Sequence, residues 1–205
     1  MLEGVKIVLE LFFLTTIFSI PLGIAVAMVR VSKNKIGSAV TGAYIWIMRG
    51  SPLLLQLVFF YYGLPAINPN LVFDKMTVAI FAFSINYAAY YAEIFRAGLQ
   101  SIDRGQFEAA MVLGLDKVTM YKRIIFPQVL KIVIPPVGNE LITLVKDTSL
   151  VYILAVNDLL RVATAASNRE ASLMPFVVAG AIYLVMTGVL TQVLAIVEKK
   201  FSYYR

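Results

Sequence analysis

Five stretches of this chain are each about as long and as apolar as a helix must be to cross a membrane, and no other feature narrows its fold as sharply. A hydrocarbon core about 30 Å thick takes roughly 20 apolar residues in a helix. The stretches run from Val5 to Val29, Ile36 to Leu64, Met76 to Ile94, Ile132 to Leu154 and Met174 to Val197. Apolar residues fill 60% of the 205 positions and charged ones 15%. That balance leaves too little polar surface to cover a water-soluble domain of this size. The expectation is an all-α membrane protein with five transmembrane helices, residues 1–205 forming one membrane domain in contact with lipid. The first block has no net positive leader, places Pro21 late and lacks a small-x-small cleavage pattern, so it reads as a span and not as a removed signal.

Lysine and arginine set the orientation, because they are retained on the cytoplasmic side of a membrane. Arg30, Lys33, Lys35, Arg96, Arg104, Lys117, Lys122, Arg123, Lys131, Lys199, Lys200 and Arg205 fall on one side. Lys6, Lys75, Lys146, Arg161 and Arg169 fall on the other, and Arg49 sits inside the second block. Twelve against five puts the N-terminus outside and the C-terminus in the cytoplasm, as an odd number of spans requires. The formal charge of +6 is therefore topological. The basic residues are scattered between apolar blocks, with no aromatic-laced stripe, so no nucleic acid partner is expected. The chain has no cysteine and no histidine, which removes disulfides, thiol catalysis and the commonest nitrogen ligands. Neither a catalytic nor a metal site is expected.

The second block is interrupted by Arg49-Gly50-Ser51-Pro52, where proline removes a backbone donor and glycine loosens the helix. Neither half is long enough to span alone. One kinked, tilted helix whose cytoplasmic half projects from the bilayer fits best, with an interfacial helix followed by a short span as the alternative.

Residues 95–127 form the longest cytoplasmic connection, and their composition is too ordered for a slack linker. Phe107–Leu113 is a good helix former, preceded by Gly105 and followed by Gly114, which is placed to end it in a left-handed cap. A second helix then enters the membrane near Pro127, so the pair makes a knob on the cytoplasmic face. The stretch EAAMVLGLDKVTMYKRIIFP, from Glu108 to Pro127, resembles the cytoplasmic signature of ABC-importer permeases, with EAA, three residues, G, nine residues, I, two residues and P in unbroken spacing. RGSPLLLQL, beginning at Arg49, and LVKDTSL, beginning at Leu144, further resemble the polar amino acid uptake family of type I importers.

The resemblance implies the core fold of a type I importer permease and a multi-pass protein of the bacterial inner membrane. It implies that Gln106 to Leu115 form a coupling helix seated in a separate ABC ATPase subunit, with Glu108, Ala109, Ala110, Gly114, Leu115 and Pro127 carrying the contact and its geometry. It also implies a second permease chain, identical or not, and an extracytoplasmic substrate-binding protein. ATP and Mg would sit on the ATPase, and no cofactor on this chain. That division agrees with the glycines, none of which opens a phosphate-binding loop pattern.

Charged side chains at membrane depth usually face a pathway or each other. On a helical projection of the fourth block, Asn139, Glu140, Thr143, Lys146 and Asp147 fall within an arc of about 120°. In the third block Asn86, Tyr90 and Glu93 share a face, with Tyr87 beside it, while Ala88, Ala89 and Ala92 lie opposite, where small residues let helices approach. The two polar faces are expected to line the translocation path. Lys146 is the candidate cation for an amino acid carboxylate, and Glu140 and Asp147 are candidate acceptors for its ammonium group. Asn86, Tyr87 and Tyr90 are placed to hold the side chain. Lys146 and Asp147 also fit a simple helix-capping role, Glu140 an internal pair, and Glu93 a structural or gating one. Two carboxylates against one ammonium would favour a basic amino acid. A proton- or ion-coupled secondary transporter of amino acids is the competing class, although the internal repeat usual in such proteins is not visible.

Overall fold

In a computed structural model, which describes residues 1–201, regular structure among the described residues is entirely helical. Arg205, counted above with the cytoplasmic cations, lies outside the described residues. Eight helices can be followed: α1 Leu2–Arg30, α2 Lys35–Gly50, α3 Leu53–Ile67, α4 Lys75–Gln100, α5 Arg104–Val112, α6 Lys117–Leu154, α7 Leu159–Glu170 and α8 Met174–Phe201. Of these, α1, α4, α6 and α8 are long and apolar enough to cross a membrane singly.

The seam between α1 and α4 follows from the sequence of α1. Its buried stripe, Thr15, Ser19, Gly23 and Ala27, places a small residue at every fourth position. Such a stripe lets two backbones approach closely, which is how helices gain contact in lipid. A methyl group on Gly23 would lie 2.7 Å from Tyr91 Cβ and 2.9 Å from the Ala88 carbonyl, so only glycine fits there. The expected small face of α4 meets it, with Ala88, Ala89 and Ala92 fully buried. The opposite side of α1 turns Phe13, Ile17, Phe18 and Leu22 outward, as a lipid-facing surface should.

The packing also fixes the direction of each span. Val8 meets Leu159, Ala163 and Ala179 at one end of the bundle, while Ala27 meets Ile45, Ala89 and Ala92 towards the other. Gly98 of α4 touches Val133 of α6, and Gly138 of α6 touches Leu194 of α8. Hence α1, α4 and α8 run the same way and α6 runs against them. Since α1 and α4 are parallel, the chain between them has to return across the bundle. It does so through α2 and α3: Ile45 packs beside Ala89 and Ala92, and the Phe60 ring lies 5.3 Å from that of Phe81, nearer the start of α4.

The return is sharper than the expected kink. α2 and α3 meet at 105°, because Ser51 and Pro52 both leave the helical region, with ψ of 145° and 131°. Two consecutive extended residues break the ladder completely, where a lone proline would only bend it. The carbonyls freed at the break are recovered by side chains. Gln56 Nε2 lies 3.0 Å from the Met48 carbonyl and 2.8 Å from Ser51 Oγ, and Asn86 Nδ2 donates to the Met48 carbonyl at 2.9 Å and to Gln56 Oε1 at 3.0 Å. Irregular backbone at membrane depth persists only with such partners. Pro135 and Pro136, by contrast, lie inside a helical stretch that continues from Phe126 to Asp147.

Candidate functional site

Two sites stand on this frame, one projecting from the end of the bundle where α1 finishes and α6 starts, the other a half-open cavity between α4, α6 and the α2–α3 break. The projecting segment folds as anticipated, with a different start. α5 begins at Arg104, three residues before the expected Phe107, because the Asp103 carboxylate accepts the Gly105 N–H at 2.6 Å and caps the helix there. At its other end Gly114 takes φ of +69°, the Gly114 N–H donates to the Met111 carbonyl at 3.0 Å, and the Leu115 N–H donates to the Ala110 carbonyl at 3.1 Å. This is the left-handed glycine stop read from the sequence. Asp116 then caps the next turn through the Val118 and Thr119 amides at 3.0 and 3.3 Å. The Thr119 side chain first, and then those amides, hold its carboxyl below the usual carboxylate range.

α6 therefore starts ten residues ahead of Pro127. A π-helical turn over Tyr121–Ile125 precedes that proline, and Phe126 N–H reaches back to the Tyr121 carbonyl. The wider turn eases the passage of a residue that has no N–H to donate. Ile102, Ala110, Met120, Ile125, Val129 and Val133 make a small core under the segment, joined by Phe107 and Leu115. Ala110 is only 1% exposed, so its small side chain serves contact within the chain. Glu108 and Ala109 face outward, followed by an exposed apolar run of Met111, Val112 and Leu113.

The inner site is a cavity of about 510 Å³, a size common for small-molecule pockets, which run from about 300 to 1,000 Å³. Six of the eight residues expected on the translocation path line it: Asn86, Tyr87 and Tyr90 from α4, and Glu140, Thr143 and Asp147 from α6. The Tyr87 hydroxyl donates to Asp147 Oδ2 at 2.8 Å. Thr143 donates its hydroxyl to the Asn139 carbonyl at 3.0 Å. Asn86 is 3% exposed and its amide group serves the α2–α3 break, so its first duty is to hold the cavity wall.

Asn139 and Lys146 do not line the cavity; both are on an exposed side of α6. Their place on the projected arc explains this. At about 100° per residue they occupy one edge of it, while Glu140 and Asp147 occupy the other. The cavity's cation is Arg49, whose guanidinium stands 5.2 Å from the centre of the Tyr90 ring. The rest of the wall is the break itself, Gly50, Ser51, Pro52 and Leu53, with Leu150. The signal for Arg49 was present in the sequence as a charge within an apolar block. Gln56 carried no comparable signal.

The same chain end that holds Glu93 pairs it with Arg96 through both carboxylate oxygens, which supports the structural reading of that residue. At the opposite end of the bundle, α7 and the start of α8 frame a wider groove of about 790 Å³, with Asn157, Arg161, Arg169 and Glu170 on its walls.

Comparison with known proteins places this geometry. Residues 19–203 match the family described as binding-protein-dependent transport system inner membrane component. The chain is 37% identical over 202 residues to the arginine transport system permease protein of Bacillus subtilis, covering 98% of this chain and 92% of that one. It is 34% identical over 199 residues to a putative glutamine transport system permease protein of Rickettsia conorii, covering 97% and 91%. Among solved structures, an amino acid ABC transporter crystallised with histidines superposes with a TM-score of 0.89 at 34% identity, over 97% of this chain and 92% of that chain. A methionine ABC transporter in an inward-facing conformation shares the fold, with a TM-score of 0.81 at 16% identity over 98% and 95%.

Proposed function

From the premise that this chain belongs to the family of binding-protein-dependent transport system inner membrane components, we propose that it carries a basic amino acid into the cytoplasm by alternating access. The chain is a multi-pass inner-membrane permease of an amino acid ABC importer, and ATP hydrolysis belongs to a separate subunit. The single observation behind the substrate reading is the content of the inner cavity: Glu140 and Asp147 stand against one cation, Arg49. Arg49 suits an α-carboxylate, since a guanidinium donates to both of its oxygens. The two acidic groups then receive the ammonium group and a basic side chain. The permease of Bacillus subtilis named for arginine is consistent with this, and the relative named for glutamine marks the competing neutral substrate.

Orientation follows from the cationic loops. The end carrying Lys33, Lys35 and α5 faces the cytoplasm, and the groove beside α7 faces the binding protein. The exposed run Met111–Leu113, on water-facing helix α5, is the surface that seats in the ATPase subunit, with Glu108 at its rim. Gly114 sets the direction in which α6 leaves. A second permease chain completes the path, and closure of the ATPase pair on ATP draws the two α5 helices together to open the cavity outward.

The test is uptake into proteoliposomes holding the complete complex. Glu140→Gln should reduce uptake of arginine and lysine about tenfold, the order expected for one charge-assisted hydrogen bond, and leave glutamine within about twofold. An equal loss for cationic and neutral amino acids would remove the basic-substrate reading. Uptake driven by a proton gradient in the absence of ATP would remove the importer mechanism.

A further inference from the structure

A second cavity, of about 380 Å³, lies on the α2 side of the break and shares Arg49 and Gly50 with the first. Its other walls are Arg30, Gly42, Ile45, Trp46 and Glu93. It sits between the end of α1, the middle of α2 and the last turns of α4, the end of the bundle from which α5 projects. Nothing in the transport reading above uses it.

Its chemistry is unlike that of the first cavity. Arg30 is held in place: its Nη1 donates to the Ser38 carbonyl at 3.1 Å and to Ser38 Oγ at 2.6 Å. The same guanidinium lies over Gly42, where an added methyl would come within 3.1 Å of Cζ and 3.3 Å of Nη2. Its remaining N–H groups, and those of Arg49, have no hydrogen-bond partner among the described residues. The one acid present, Glu93, is already held by Arg96 through both oxygens. Two guanidinium groups with unused donors thus face a small, open-sided cavity whose one carboxylate among the described lining residues is already paired. Such an arrangement calls for an anionic group with two acceptor oxygens.

Resting on the amino acid reading above, we propose that this chamber is a second station on the import path, which holds the α-carboxylate of the amino acid as it leaves for the cytoplasm. Arg49 belongs to both cavities, so the carboxylate passes from one side of that guanidinium to the other and is then taken by Arg30. The side chain of the solute makes no demand here, and the station reads the carboxylate alone.

A station open to the cytoplasm also fills from the cytoplasm, which gives the test. The complete complex is reconstituted in proteoliposomes loaded with L-arginine, and initial uptake of labelled L-arginine is measured. Internal L-arginine should slow uptake, and agmatine, the same molecule without its carboxylate, should not. Arg30→Gln should raise the half-inhibiting internal concentration at least tenfold and lower the maximal rate, with Arg30→Lys intermediate. Gly42→Ala, which keeps the charge and displaces the guanidinium, should raise it about threefold. The proposal is overturned by absence of internal inhibition in the wild type, by equal inhibition with agmatine, or by an unchanged half-inhibiting concentration in Arg30→Gln. A dependence on anionic lipid that Arg30→Gln abolishes, with internal arginine unaffected, would assign the chamber to a lipid phosphate and overturn it as well. Failure of the wild type to import any amino acid would instead refute the transport reading. If it imports glutamine and not arginine, the station is tested in the same way with glutamine and 4-aminobutanamide.

Discussion

From the Asp103 cap to the Asp116 cap, the projecting segment is held mainly by hydrogen bonds that reach two to five positions along the chain, with the Gln128 amide to Gln106 Oε1 as the one longer reach. The inner cavity is held by bonds that reach much further, with Asn86 to Gln56 closing 30 positions and Tyr87 to Asp147 closing 60. The first takes its shape chiefly from near neighbours in the chain and rests on a small core completed by Ile102, Val129 and Val133. The second exists only after α2, α3, α4 and α6 have packed in register. A transporter needs both, a stiff peg that keeps its shape while it is pushed and a chamber whose walls can separate when the helices move. Damage to the peg should stop the cycle for every solute, and damage to the chamber should change which solute is carried.

Several substitutions press on that division. Val112→Asp with Leu113→Asp puts two charges on the exposed apolar run of α5. Loss of an interface anchor costs about 2–4 kcal/mol, so ATP-driven uptake should fall about 30- to 1,000-fold for all amino acids alike. Co-purification with the ATPase should fail while helical circular dichroism is retained. If solute preference shifted, the two regions would not be separable. Gln56→Leu attacks the chamber wall, leaving the Ser51 carbonyl without its side-chain donor and the Met48 carbonyl with Asn86 alone at membrane depth. A buried polar group left unpaired costs about 1–3 kcal/mol, which should appear as a lower melting temperature in detergent and as altered solute preference, with the ATPase still bound. Gly114→Ala places a side chain at φ of +69° and should cost about 1–2 kcal/mol. It is expected to loosen α5 and lower uptake several-fold with the order of substrates kept, as competition assays would report.

The smallest effect concerns pH. Because the folded-state value of Asp116 is depressed, its contribution is present above the ordinary carboxylate range and is lost as pH falls through the lowered folded value. Hydrogen-exchange protection of the Val118 and Thr119 amides should therefore decline only in acid, and Asp116→Asn should flatten that dependence. Protection lost near neutral pH would contradict the assigned cause.

The small-residue seam of α1 shows a middle case. Thr15, Ser19, Gly23 and Ala27 repeat at every fourth position, and Ala88, Ala89 and Ala92 announce a matching face on α4, yet nothing local says that these two helices are partners or that they run parallel. That follows from contacts such as Gly23 on Ala88. The same limit explains Lys146 and Arg49. On one helix, Lys146 adjoins Asp147 and looks like its natural counterion, but a helical step of about 100° carries it off the cavity. Arg49 reaches Tyr90 because α2 packs along α4, with Ile45 beside Ala89 and Ala92.

Residue order and composition were enough to give the membrane as solvent, the approximate spans, the polar stripe of α6, and the capped peg with its glycine stop. Each of these rests on composition, helical period or hydrogen bonds between near neighbours, which need no knowledge of the rest of the chain. Packing across the bundle was needed for the sharp fold-back at Ser51-Pro52, the repair of its carbonyls by Gln56 and Asn86, and the placing of Arg49 as the cation of the cavity. Those depend on which faces meet across the bundle, and a direction of bend is set by packing against distant helices, where a local sequence leaves it free.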